Sequence, residues 1–162
     1  MAQIYISIGS NIEKEVNIIK GLDALKHVFG ELTLSSLFES ESIGFDGPIF
    51  YNMVVGASTE LSLDELSKTL RQIEFEHGRD FDAVKFSPRT LDLDLLLFDD
   101  VICDSPAQLP RDEITKNAFV LWPLTELAPN LEHPVLKQTI EQLWQQYDKT
   151  SQQLRKVPLN WQ

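Results

Sequence analysis

Cysteine is almost absent from this chain: Cys103 stands alone among 162 residues, so no intrachain disulfide can form and a reducing compartment is compatible with the count. Histidine is nearly as sparse, three in all, and neither residue type falls at a spacing that ligates zinc. Positive charge is scarce as well, 14 Lys and Arg against 25 Asp and Glu, for a formal net charge of −11. A nucleic-acid partner needs a basic face to neutralise phosphates, and this balance argues against one. It leaves room for a nucleotide, which asks only for a local cluster of cations. No apolar stretch approaches the length of a membrane span, and the opening residues Met1, Ala2 and Gln3 lack the charged-then-apolar pattern of a signal peptide. The expectation is a cytoplasmic protein without membrane association. Cys103 itself reads as a small buried hydrophobe. With 43% hydrophobic residues and no repeat, low-complexity tract or long linker, residues 1–162 are expected to form one domain. Nothing marks an obligate protein partner.

What is present is most informative between Arg89 and Phe98, a leucine-rich strand carrying two carboxylates. Side chains two apart in an extended strand share a face. Leu91, Leu93, Leu95 and Leu97 are therefore expected on one side, with Asp92 and Asp94 on the other and about 6.5–7 Å apart at Cα. Two readings are open. One is an edge strand whose aspartates are simply solvated. The other is a divalent-cation site, and magnesium, held by one or two carboxylates together with substrate phosphates, suits the pattern. Asp is depleted in strands, which favours the second. Arg89 adds a guanidinium that forks onto phosphate oxygens, and Arg79, Lys85 and Arg111 extend the local supply of cations.

Along the chain, alternation of Ile4, Ile6 and Ile8 predicts a strand over 3–8, closed by Gly9, Ser10 and Asn11, which read as a turn and helix cap. Ile12, Val16, Ile19, Leu22, Leu25 and Phe29 recur at helical spacing, with Gly30 as a stop. Strands follow over 32–38 and 49–57, joined by a polar connection too long for a hairpin. Ser62 with Glu65 forms a capping-box pattern ahead of a stripe of Leu63, Leu66, Leu70 and Ile73, ended by Gly78. Residues 79–88 read as a mobile loop, and both polar loops are expected to close over a nucleotide. Beyond Phe98, Val101 and Ile102 suggest a short strand, and Pro106 and Pro110 keep the next stretch irregular. Residues 117–121 are apolar up to Trp122 and Pro123, residues 124–128 suggest a helical turn, and Ile140, Leu143, Trp144 and Tyr147 mark a last helix. Several strand pairs lack an intervening helix, which favours an α+β sandwich with a largely antiparallel sheet.

The stretch from Phe86 to Leu96 resembles the hallmark of the 6-hydroxymethyl-7,8-dihydropterin pyrophosphokinase family of the folate pathway. Further blocks agree in order and spacing: residues 6–11, 38–44, Phe50 to Asn52, Ile73 with Glu74, Gly78 with Arg79, and 118–124. The resemblance implies a ferredoxin-like αβα fold and transfer of a pyrophosphoryl group from ATP to the hydroxymethyl group of a reduced pterin, releasing AMP. It implies that Asp92 and Asp94 bind two Mg2+ ions, with Arg79 and Arg89 neutralising phosphate charge as part of the catalytic set. The pterin would lie between Phe50 and Phe119, with Asn52 on its polar edge and Ser40, Glu41 and Ile43 completing recognition. Arg71, Glu74, Lys85, Phe86 and Arg111 would meet ATP.

The chain departs from the pattern in several places, among them residues 80–84, which carry fewer cations than usual. Many members carry His after Leu-Pro where Arg111 follows Pro110, and many carry Arg where Asn117, beside Lys116, precedes Ala118 and Phe119. Arg111 is expected to replace a lost phosphate or ribose contact. Two other classes stay open: a degenerate copy that binds without turnover, and a regulatory small-molecule domain of the same shape.

Overall fold

Ile4, Ile6 and Ile8 point to one side of β1 (Ala2–Ser10), an interior strand of the sheet, and are fully buried there. The computed structural model describes residues 1–40, 49–77, 91–150 and 152–161. Gly9 and Ser10 remain within β1, so the expected helix cap at residues 9–11 is absent: the position before α1 (Lys14–Phe29) is Glu13, at φ 41° and with no side-chain cap. As a result the buried stripe of α1 starts a turn late. It comprises Ile18, Gly21, Leu22 and Leu25, while Ile12 and Val16, expected inside, are 38% and 50% exposed. Gly30 ends the helix at φ 79°, a conformation glycine adopts without a Cβ penalty.

The single strand expected over 32–38 is two short ones, β2 (Thr33–Leu34) and β3 (Leu37–Ser40), both antiparallel to β4 (Phe50–Thr59). Between them the Ser35 hydroxyl accepts from the Val54 N–H at 2.9 Å, taking over a bond that the backbone ladder would otherwise make. Ser62 and Glu65 cap α2 (Leu63–Glu76) reciprocally, as their spacing predicts, and Leu66, Leu70, Ile73 and Glu74 are its buried face. Gly78, expected as the stop, and the loop expected over 79–88 lie outside the described residues, as do residues 41–48 of the loop expected over 39–48, whose Glu39 and Ser40 belong to β3.

β5 (Asp92–Phe98) contains an irregularity that reverses an expectation. Ile6 pairs with Leu95 but Tyr5 pairs with Leu97, so Leu96 is an extra residue, and alternation changes phase there. Leu97 consequently leaves the Leu91–Leu93–Leu95 side and packs with Val54, Leu121 and Leu124 on the other. Val101 and Ile102 form no strand; an isolated bridge joins Cys103 to Leu109, and Ile102 is exposed. A 3-10 turn (Asp112–Thr115) leads into α3 (Ala118–Leu127), which runs unbroken through Pro123 where an interruption was expected. Proline costs a helix one N–H bond; burial of Val120, Leu121, Pro123 and Leu124 against the sheet outweighs it. α4 (Ile140–Gln146) is boxed by Thr139 and Gln142, and β6 (Leu154–Val157), unforeseen, pairs with β3.

The strand order β5-β1-β4-β3-β6 is antiparallel throughout, with β2 also on β4. The β1-α1-β3-β4-α2-β5 portion is the expected ferredoxin-like arrangement within an α+β sandwich. α1 and α2 cover one face over Ile4, Ile6, Ile8, Met53, Val55, Leu93 and Leu95. α3 and α4 cover part of the other over Val54, Leu96 and Leu97. No described helix is long and apolar enough to cross a membrane.

Candidate active site

On the α3 face the strand register lines up a row of residues across the sheet. Asp92 of β5 pairs with Gly9 of β1, Gly9 with Asn52 of β4, and Asn52 with Phe38 of β3. One step along, Asp94 lies opposite Ser7. Gly9 has no side chain, and the space is used: a Cβ there would stand 2.9 Å from Asn52 Oδ1. Asn52 is buried, and its Nδ2 donates to the Ser40 hydroxyl at 2.9 Å, which fixes the amide's orientation. Phe50 is directly opposite Ser40, half-buried. The pterin residues expected on β3 and β4 are thus brought together, and the register runs from them to both aspartates.

The aspartates are held by neighbours of opposite kinds. Between them the Leu93 N–H donates to Glu74 Oε2 at 2.9 Å, so this buried α2 carboxylate fastens the outer edge of β5. Arg111 places Nη2 3.5 Å from Asp94 Oδ1, while its Nε and Nη2 lie 2.8 and 2.7 Å from Glu113 Oε1. The backbone of Arg111 is anchored too, its N–H donating to Leu96 O at the irregularity in β5. The Asp94 carboxyl is pushed up to about 7: withdrawal from water is the main cause, Arg111 opposes it, and the charges of Asp92, Glu113 and Glu74 add to it. A third of the Asp94 side chain is still reached by solvent. Crowded carboxylates with an open side are a donor set that a hard cation relieves, and two carboxylates on one strand suit magnesium. Among the described residues no group of three or more metal-ligating side chains converges.

α3 supplies the third part. Trp122 packs on Phe38 with ring centroids 4.7 Å apart, which seats the helix over β3. Phe119 lies one turn earlier, half-buried, at the helix N-terminus. Asn117, before Ala118, donates through Nδ2 to Glu113 Oε2 at 3.2 Å. Lys116 is turned away on Asp112 at 2.8 Å. Arg71 lies exposed on α2, one turn before Glu74. Glu41, Ile43, Arg79, Lys85, Phe86 and Arg89 fall outside the described residues. Gly9, Ser7 and Glu113 were not singled out by their spacing. A glycine inside an alternating strand was the available signal for Gly9, because it marks a close approach by another group.

The family model described as 7,8-dihydro-6-hydroxymethylpterin-pyrophosphokinase (HPPK) matches residues 5–129. A 2-amino-4-hydroxy-6-hydroxymethyldihydropteridine pyrophosphokinase of Aquifex aeolicus is 32% identical over 145 residues, 88% of this chain and 90% of the relative. The protein of the same name in Pseudomonas aeruginosa is 38% identical over 137 residues, 82% of this chain and 84% of the relative. Among solved structures, a Plasmodium falciparum HPPK-DHPS superimposes with a TM-score of 0.68 at 14% identity, over 90% of this chain and 43% of that one. An HPPK-DHPS in complex with substrates gives 0.73 at 11%, over 93% and 46%. The chain spans less than half the length of those two solved proteins, so that likeness speaks to the shared fold. The family match and the aligned relatives, running along most of the chain, make it a member of the 7,8-dihydro-6-hydroxymethylpterin-pyrophosphokinase family.

Proposed function

We propose that this chain transfers the pyrophosphoryl group of ATP to the hydroxymethyl group of 6-hydroxymethyl-7,8-dihydropterin, giving AMP and the pterin diphosphate of folate biosynthesis. The observation that carries this reading is the row Asp92–Gly9–Asn52, which spans two strand spacings, about 10 Å, on one face of the sheet. It leaves an acidic grip and an oriented amide at the right separation for a polyphosphate to meet a flat heterocycle.

Asn52 presents an acceptor and donors to the pterin edge, and Ser40 holds it in that pose. Phe50 and Phe119 stack on the ring faces, with Glu41 and Ile43 closing the recognition. Offset stacking contributes about 0.5–1.5 kcal/mol beyond burial. Asp92 and Asp94 would hold the two Mg2+ ions expected from the family, and the charge those ions supply when bound would offset that of the phosphates. Arg79 and Arg89 neutralise phosphate charge, and Arg71, Glu74, Lys85, Phe86 and Arg111 complete the ATP contacts. Arg111 balances Asp94 before substrate arrives, and in this reading the same guanidinium takes up an incoming phosphate. Glu74 positions the strand between the aspartates. Catalysis rests on placement and electrostatics, so no side-chain nucleophile is required. The reaction belongs in the cytoplasm, where ATP is made available and a lone cysteine stays reduced, and residues 1–162 act as one domain.

AMP formation by purified protein with magnesium, ATP and the hydroxymethyl pterin tests this. Turnover that depends on both pterin and magnesium is expected. Tight pterin binding without AMP would make the chain a non-catalytic binder, and neither would leave a regulatory domain.

A further inference from the structure

The segment after α4 reaches back to the site. β6 pairs with β3, Arg155 meets Glu39 at 2.9 Å, and Lys156 meets Glu126 at 3.0 Å while lying 5.5 Å over the Trp122 ring. Just ahead of β6, Gln152 turns its amide onto the N-terminus of α3. Its Oε1 accepts from the Ala118 N–H at 2.8 Å, and its Nε2 donates to Asn117 Oδ1 at 3.1 Å. Asn117 makes no side-chain cap of its own, so this helix is capped from 34 residues away. Glu113 takes the other side of the Asn117 amide. The first turn, which carries Phe119, is therefore gripped from two directions, by Glu113 beside the aspartates and by Gln152 from the C-terminal strand.

We infer that Gln152 is a positioning residue for the pterin: its amide oxygen on Ala118 sets the first turn of α3 and with it the ring of Phe119. This rests on the pyrophosphokinase reading, in which Phe119 stacks on the substrate. A helix start without that acceptor leaves an N–H seeking water, and the turn frays. Fraying moves the aromatic wall while leaving the aspartates in place, because β5 is held by Glu74 and Arg111 independently.

The test uses the full chain with Gln152→Leu and Gln152→Glu. Loss of one hydrogen bond corresponds to a several-fold change. Gln152→Leu is expected to raise the pterin KM roughly fivefold on that scale, with kcat and the ATP KM within about twofold and a urea midpoint lowered only as far as loss of a helix cap requires. Gln152→Glu keeps the acceptor for the Ala118 N–H at a helix N-terminus, where negative charge is favoured, but gives up the donor to Asn117 Oδ1, and is expected to undo part of the rise in pterin KM. A pterin KM equal to wild type in Gln152→Leu overturns the inference. So does a parallel rise in both KM values, which is general loosening, and so does a pterin KM in Gln152→Glu no lower than that of Gln152→Leu. If the unmodified chain forms no AMP, the functional reading fails first; if it turns over and Gln152→Leu matches it, only this inference does.

Discussion

The two faces of one sheet carry opposite duties. On the α1/α2 face, β1, β4 and β5 present Ile4, Ile6, Ile8, Met53, Val55, Leu93 and Leu95, an aliphatic layer. On the other face the intervening residues of the same strands are Ser7, Gly9, Asn52, Asp92 and Asp94 toward one end, with Tyr5, Val54 and Leu97 packed under α3 and α4 toward the other. A period of two lets adjacent residues serve stability and chemistry with little interference. The polar row is tolerated because the layer beneath supplies most of the hydrophobic stabilisation, about 25 cal/mol per Å2 buried.

If the duties are separate, changes on each face break different things. Replacing Asp92 and Asp94 together by Asn is expected to lower kcat/KM for AMP formation by about a thousandfold or more, the several kcal/mol that metal-borne charge supplies. The melting temperature should not fall, since the carboxyl at Asp94 is already disfavoured as an anion; a lowered melting temperature would show that the pair is structural. Ile6→Ala, directly behind Ser7, should cost about 2–5 kcal/mol in urea denaturation with unchanged KM values for the folded protein. Gly9→Ala sharpens the comparison, because its methyl enters the space of Asn52 Oδ1. The pterin KM should rise about tenfold, equivalent to 1.4 kcal/mol of lost orientation, with the ATP KM unaffected.

The smallest effect lies away from both faces. His133 is buried, and its Nδ1 accepts from the N–H groups of Val135 and Leu136, so burial holds its pKa below the usual value. A histidine kept neutral in the folded state contributes stability that is present above its unfolded pKa, about 6.5, and lost as pH falls toward the lower folded value. Urea midpoints of the unmodified chain and of His133→Asn should therefore converge as pH drops below about 6.5. A constant difference from pH 8 to 5.5 would remove His133 from the account.

Local patterns were legible where the cause was local. The box at Ser62 and Glu65, the stop at Gly30 and the inward run Leu91, Leu93, Leu95 read correctly because each depends on residues a few positions apart. Leu97 was misplaced because the extra residue at Leu96 arises from pairing with Tyr5 and Ile6, some ninety positions earlier. Pro123 suggested a break that tertiary burial overrode, and the charged strand Leu154–Val157 carries no periodic signal of its own. In the site, the acidic pair and Asn52 stood out by residue type. The parts played by Gly9, Glu74 and Gln152 did not, since their partners are distant in sequence.

By itself the order of residues determined which side chains alternate along β1, where α2 begins and α1 stops, and that two carboxylates share one side of a strand, because backbone geometry converts spacing of two or four directly into a shared face. Only the tertiary structure decided that Asp92, Gly9 and Asn52 form one row and that a strand from the far end of the chain caps α3. Register and long-range hydrogen bonds follow from how the whole core packs.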